Sequence, residues 1–168
     1  MKSPSKPAGK LTAKELCILA LMGALMFAVK AVMASLPNIH LNAVIIFLAV
    51  VFFELKAFYC VGVYIMLEGL FFGFGLWWLS YLYLWPILTF VAYIFRKNDS
   101  VLIWAVIAAV FGLCFGLLCS IPYLFIGGIE MALSYWISGL PFDFFHCAGN
   151  FCTTLILYRP LHTVMHKL

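Results

Sequence analysis

Polar residues along this chain fall in short clusters, and the apolar stretches between them are too long for the core of a soluble domain. A helix needs about 20 apolar residues to cross the roughly 30 Å hydrocarbon layer of a membrane. The pattern predicts six such crossings, at 13–35, 42–55, 57–74, 79–95, 101–120 and 141–158. The second is short, so it is expected to tilt or to meet a thinned part of the bundle. Between the fifth and sixth, IPYLFIGGIEMALSYWISGL (121–140) is almost apolar enough for a seventh span. Pro122, Gly127–Gly128, Glu130 and Gly139 interrupt it, which predicts a helical hairpin or an interfacial helix. The expected fold is an all-α integral membrane protein, a bundle of six transmembrane helices. Residues 1–12 are read as a basic cytoplasmic tail, 13–160 as a single membrane domain and 161–168 as a second short tail.

Composition sharpens this. Of 168 residues, 67% are hydrophobic and 10% charged, and mean hydropathy is +1.14. Soluble domains carry about 25% charged residues, so little of the chain is expected outside the membrane. Charge then sets orientation. Lys2, Lys6, Lys10 and Lys14 precede the first span, Lys56 follows the second, Arg96 and Lys97 follow the fourth, and Arg159 and Lys167 follow the sixth. Of the ten basic residues only Lys30 lies elsewhere, and the alternate loops 36–41, 75–78 and 121–140 hold no Lys or Arg. Positive charge marks the cytoplasmic side, so both termini are expected there. A seventh span would place Arg159 and Lys167 outside. The basic start precedes a long apolar run without a small-residue cleavage site, so that run is expected to be a retained first span.

Aromatic residues gather at the opposite, outer ends. Trp77, Trp78, Tyr81, Tyr83 and Trp85 open the fourth span, and Tyr123, Tyr135 and Trp136 mark the last outer loop. An interfacial belt accounts for part of this set. The excess points to the wall of a pocket for a planar ligand.

Polar groups within spans are expensive and usually face a cavity or a partner. Lys30, one turn from the outer end of the first span, either snorkels to the interface or pairs inward with Glu68, which sits at similar depth in the third. The loop SLPNIHLN alternates Asn38, His40 and Asn42 with apolar residues, so those three can turn toward one surface. In PFDFFHCAGN, Pro141 suits a first helical turn, and a carboxylate at Asp143 is favoured near that N-terminus. At 100° per residue His146 lies about 60° and Asn150 about 20° from Asp143, so the three share a face. Interhelical hydrogen bonding and a ligand-facing stripe both account for Asn150. Ala20, Ala24 and Ala28 form a small-residue ladder on the first span, for packing within the chain or against a partner helix.

Several chemistries find no support. No phosphate-binding loop is present, and HTVMH (His162 to His166) has Thr163 where a zinc-protease helix needs glutamate. None of the six cysteines forms a C-x-x-C pair. No cofactor, metal or nucleic acid is expected. An enzyme is disfavoured, with an intramembrane one using His146 and Asp143 as the alternative, and a structural subunit as a third.

The order of features, a basic tail, ALMGALMFA in the first span, LPNIHLN after it and a final PFDFFHCAGN followed by YRPL, resembles the substrate-binding S components of energy-coupling factor (ECF) vitamin transporters. The resemblance covers nearly the whole chain. It implies high-affinity capture of a vitamin or precursor near the outer face of a prokaryotic plasma membrane, with the first loop as lid. It also implies docking, through a motif matched by Ala20 and Ala24, onto a transmembrane T component that works with two cytosolic ATPases. The substrate-binding residues expected on this reading are Lys30, Asn38, His40, Asn42, Glu68, Trp78, Tyr81, Trp85, Trp136, Asp143, His146 and Asn150.

Overall fold

The computed structural model describes residues 10–33 and 41–167. Among them run seven α-helices and no strand: α1 (Ala13–Val32), α2 (Asn42–Phe53), α3 (Ala57–Phe72), α4 (Leu76–Phe95), α5 (Val101–Leu113), α6 (Phe115–Cys119) and α7 (Ile121–Met165). Helix α1, the α2–α3 run, α4 and α7 are long and apolar enough to cross a membrane, and α5 is a shorter apolar helix. Leu21, Leu25, Phe71, Phe90, Ile94 and Ile156 are among many large apolar side chains left exposed. Such a surface belongs in lipid, as a multi-pass membrane protein requires.

Local chemistry sets the helix ends. Thr12 and Glu15 form a capping box at the start of α1, with the Glu15 N–H donating to Thr12 Oγ1 at 3.2 Å and the Thr12 N–H donating to Glu15 Oε2 at 2.8 Å. Glu54 takes a φ of 52° after α2, and a single 3-10 turn then leads into α3. Gly73, at φ 87°, ends α3 in a backbone region that side chains other than glycine rarely enter.

Helix α2 occupies the centre. Every residue from Asn42 to Val50 is buried, and α2 touches α1, α3, α4, α5 and α7. A helix that is apolar on all sides belongs in such a place. Its short length is accompanied by enclosure on all sides, so its neighbours rather than lipid surround most of it.

Ion pairs and rings fix the relative directions. Lys56 Nζ lies 2.9 Å from both Glu15 carboxylate oxygens, which joins the start of α3 to the start of α1. Arg96, after α4, approaches Glu54 at 3.7 Å. Phe52, near the end of α2, meets the rings of His162 and His166 near the end of α7. Lys14, Lys56, Arg96 and the two histidines thus share one pole of the bundle. Lys30 and Glu68 lie at the other end of the parallel α1–α3 pair.

The last third of the chain is one long antiparallel hairpin. Trp104 stacks on Tyr158, Ala108 accepts from Asn150, Gly116 donates to Asp143, and Tyr123 stacks on Tyr135 at 4.2 Å. The reversal falls at Gly127–Gly128, with Gly128 at φ 72°. This corrects two boundaries. The fifth span is broken at Cys114 into α5 and α6, and the sixth does not begin at Pro141. The helix is already formed before Pro141, because residues 129–140 pack back on the segment that carries Tyr123, and Pro160 likewise sits within α7. A proline in a membrane helix removes one N–H, and neighbouring helices and hydroxyl side chains compensate. The expected hairpin at 121–140 is thus the outer part of this larger one, and residues 161–165, read as tail, are helical.

Lipid tails are as apolar as leucine, so helices in a bilayer associate through close packing and polar contacts. Gly23 provides one such contact: a β-carbon there would overlap the Cys60 carbonyl oxygen and come within 2.9 Å of Val63 Cβ. Gly112 provides another, since its β-carbon would lie 2.8 Å from the His146 backbone. At Gly116 it would strike the Asp143 carboxylate. Gly112-x-x-x-Gly116 therefore seats α7 on α5 and α6.

Candidate functional site

Helices α1, α3 and α4 converge at the pole opposite the Lys56–Glu15 pair, where Lys30 Nζ donates to Glu68 Oε2 at 2.5 Å and to Tyr81 Oη at 3.2 Å. The Glu68 side chain is 0% exposed and that of Lys30 28%. Lys30 is thus turned inward, and the snorkelling alternative does not describe it. Three rings surround its ammonium, with centroids at 5.1 Å (Tyr81), 5.8 Å (Phe72) and 5.9 Å (Trp77). A cation within about 6 Å of an aromatic face is attracted by the ring quadrupole.

Asn42, at the start of α2, and Tyr64, one turn before Glu68 on α3, complete the group, with the Tyr64 hydroxyl beside both Asn42 and Glu68. All three residues are fully buried. Yet both amide atoms of Asn42, the Tyr64 hydroxyl and Glu68 Oε1 lack a hydrogen-bond partner. Leaving a buried polar atom unsatisfied costs about 1–3 kcal/mol, and such atoms in a native fold call for a reason.

An aromatic wall backs these groups. Tyr64 stacks beside Tyr81 at 6.2 Å, and Trp85 meets Tyr64 edge-on at 5.4 Å and Tyr81 at 5.6 Å. Tyr81 and Trp85 stand where the sequence placed them. Trp78 does not join them. Its Nε1 donates to the Ile65 carbonyl at 2.9 Å and its ring meets Phe74, because Gly69 on α3 leaves room for the indole. Trp77 takes its place, edge-on to Tyr81 at 5.3 Å. Tyr64 is the residue sequence reasoning missed, whereas Trp77 belongs to the outer aromatic cluster expected from sequence but not to the expected binding set. The four-residue step from Tyr64 to Glu68, one helical face, was the available signal for Tyr64.

The α7 residues have a different setting. Asp143 is not at the N-terminus of its own helix, as Pro141 implied. Its Oδ1 accepts the Gly116 N–H at 2.9 Å, at the start of α6. The favourable meeting of carboxylate and helix N-terminus is therefore made across two helices. Asn150 Nδ2 donates to the Ala108 carbonyl of α5 at 3.1 Å. Both side chains hold the hairpin together, while Asp143 Oδ2 and Asn150 Oδ1 keep an unpartnered acceptor each. His146 packs edge-on to Phe115 at 4.7 Å, and Phe115 touches Tyr81 and Trp85 at 6.4 and 6.0 Å. Rings thus link the α7 stripe to the Lys30–Glu68 group.

Trp136 lies half-buried on the outer arm of the hairpin, its Nε1 without a partner. Asn38 and His40 fall outside the described residues. Ala20 and Ala24 are half-buried and Ala28 is exposed, beside exposed Leu21 and Leu25, whereas Leu19, Met22, Gly23 and Met26 form the buried face of α1. The alanine ladder is thus not the internal seam; Gly23 is. Among the described residues no three His, Cys, Asp or Glu side chains gather as a metal site would need.

No family model matches the chain, and neither the curated proteins nor the solved structures compared with it contain a match.

Proposed function

We propose that this protein is a membrane-embedded, high-affinity binding subunit for a small vitamin-like nutrient, acting as the S component of an ECF-type importer. One observation carries the reading: a buried group of Lys30, Glu68, Asn42, Tyr64 and Tyr81 holds unpartnered polar atoms against an aromatic wall. It lies at the pole away from the Lys- and Arg-bearing ends. With the basic pole cytoplasmic, both termini face the cytoplasm of a prokaryotic cell and the polar group faces outward. Asp143, His146 and Asn150 flank this polar group from α7, and His146 is linked to it by rings through Phe115. The role is capture rather than catalysis. The Ala20–Ala24–Ala28 edge of α1, not used in the close α1–α3 seam at Gly23, docks on the T component, and two cytosolic ATPases supply the energy.

Affinity purification from native membranes followed by mass spectrometry tests the proposal. A stoichiometric bound small molecule and co-purifying membrane and ATPase subunits are expected. Purified protein without either counts decisively against it. Substrate turnover by the purified chain, lost in His146→Ala, supports an intramembrane enzyme instead.

A further inference from the structure

The Lys30–Glu68 pair has a bearing on ligand charge. Both side chains point into the group that holds the orphaned polar atoms, and each neutralises the other at 2.5 Å. Tyr64 and Tyr81 add hydroxyls. An anionic ligand would find Lys30 already engaged by Glu68. A cationic ligand would meet the Lys30 ammonium with its carboxylate partner already committed. Charges taken out of water without a matched partner are strongly disfavoured, so the pair selects against both.

The unpartnered atoms describe the complement. Glu68 Oε1 is acceptor-only and needs an N–H or O–H. Asn42 offers an amide with donor and acceptor side by side, neither in a formed hydrogen bond although the Tyr64 hydroxyl lies beside it. Such an amide reads an edge on which a C=O adjoins an N–H, as it reads a base edge bidentately. Tyr64, Tyr81 and Trp85 supply ring faces and edges next to these groups, and planar rings pack there by offset or edge-on contact.

Resting on the binding-subunit reading above, we infer that the ligand is an uncharged planar heteroaromatic with a lactam-type edge, its N–H and C=O paired with Asn42 and a further N–H donated to Glu68 Oε1. The Lys30–Glu68 pair stays intact on binding and acts as a charge filter.

Calorimetry on the full chain in nanodiscs tests this with defined probes. Lumichrome and hypoxanthine represent neutral lactam heterocycles, thiamine represents a cation, and biotin an anion. At least one neutral lactam probe is expected to bind ten-fold or more tightly than either charged probe. Methylating its ring N–H should weaken it at least ten-fold. Asn42→Leu should do the same, and the methylated probe, which leaves the protein unaltered, carries the test should Asn42→Leu fail to fold. Tight binding of thiamine or biotin, or a co-purifying ligand that is charged, overturns the inference while the binding-subunit reading stands. Absence of any co-purifying molecule, with no probe bound, removes both together.

Discussion

Asp143 and Gly116 lie 27 positions apart in the chain, and the carboxylate of one occupies the space a β-carbon on the other would need. The Gly116 N–H donates to Asp143 Oδ1 at 2.9 Å, which ties α7 to the start of α6. Gly116→Ala forces the carboxylate away, and Asp143→Ala leaves a buried N–H unpaired. Each is expected to lower stability by about 1–3 kcal/mol. The double variant should be less destabilised than the sum of the two, because alanine at 143 vacates the space. Unfolding in detergent, followed by circular dichroism for the four members of the cycle, measures this.

The same seam depends on Gly112. Its missing side chain lets the α5 backbone approach that of His146 and Cys147, so Gly112→Leu must push the hairpin open. A loss of about 1–3 kcal/mol is expected for such overpacking. Asn150→Leu, which loses the bond to the Ala108 carbonyl, should cost about 1 kcal/mol. Ligand affinity that falls in step with stability across this pair would mark the α7 face as part of the pocket wall.

For the ion pair, the single variants should be worse than the double. Lys30→Leu strands a fully buried Glu68 carboxylate, with an expected loss of about 3 kcal/mol. Adding Glu68→Leu removes the stranded charge and should recover most of that stability. Ligand binding should be lost in all three proteins. Recovery of binding in the double variant would separate the pair from recognition.

Neighbouring positions on α1 should part company. Gly23→Trp collides with Cys60 and Val63 on α3 and is expected to lower the unfolding temperature sharply. Ala24→Trp adds its bulk on a half-buried flank next to exposed Leu21 and Leu25. It should leave both unfolding temperature and ligand affinity near those of the parent while uptake into cells is abolished. Uptake that survives Ala24→Trp would assign the docking surface elsewhere.

Much of the fold was legible because a bilayer imposes long apolar runs and penalises charge within them. The run lengths marked the helices, and Lys30 and Glu68 could be paired because each stood alone at similar depth in its own run. Contacts between helices were less legible. Gly23 and the Gly112–Gly116 pair look like ordinary glycines until the opposing backbone is known, and the alanines of α1 drew attention away from Gly23. Asp143 misled for a different reason. A carboxylate two residues after a proline fits the start of its own helix, and the α6 N-terminus that it serves arises only from the break at Cys114. Trp78 and Trp77 exchanged roles because Gly69 opens a slot on α3 for one indole and not the other.

The enclosure of α2 bears on how the protein meets membranes of different thickness. Its 12 residues span only about 18 Å, well short of the roughly 30 Å of hydrocarbon. A helix this short facing acyl chains would have to thin the bilayer around it. Ringed by α1, α3, α4, α5 and α7, it meets no lipid over most of its length, and the hydrophobic match is set by its neighbours alone. Acyl-chain length should therefore act on the tilt of α1, α4 and the last hairpin, and leave the packing around Asn42 at the head of α2 insulated from the host bilayer.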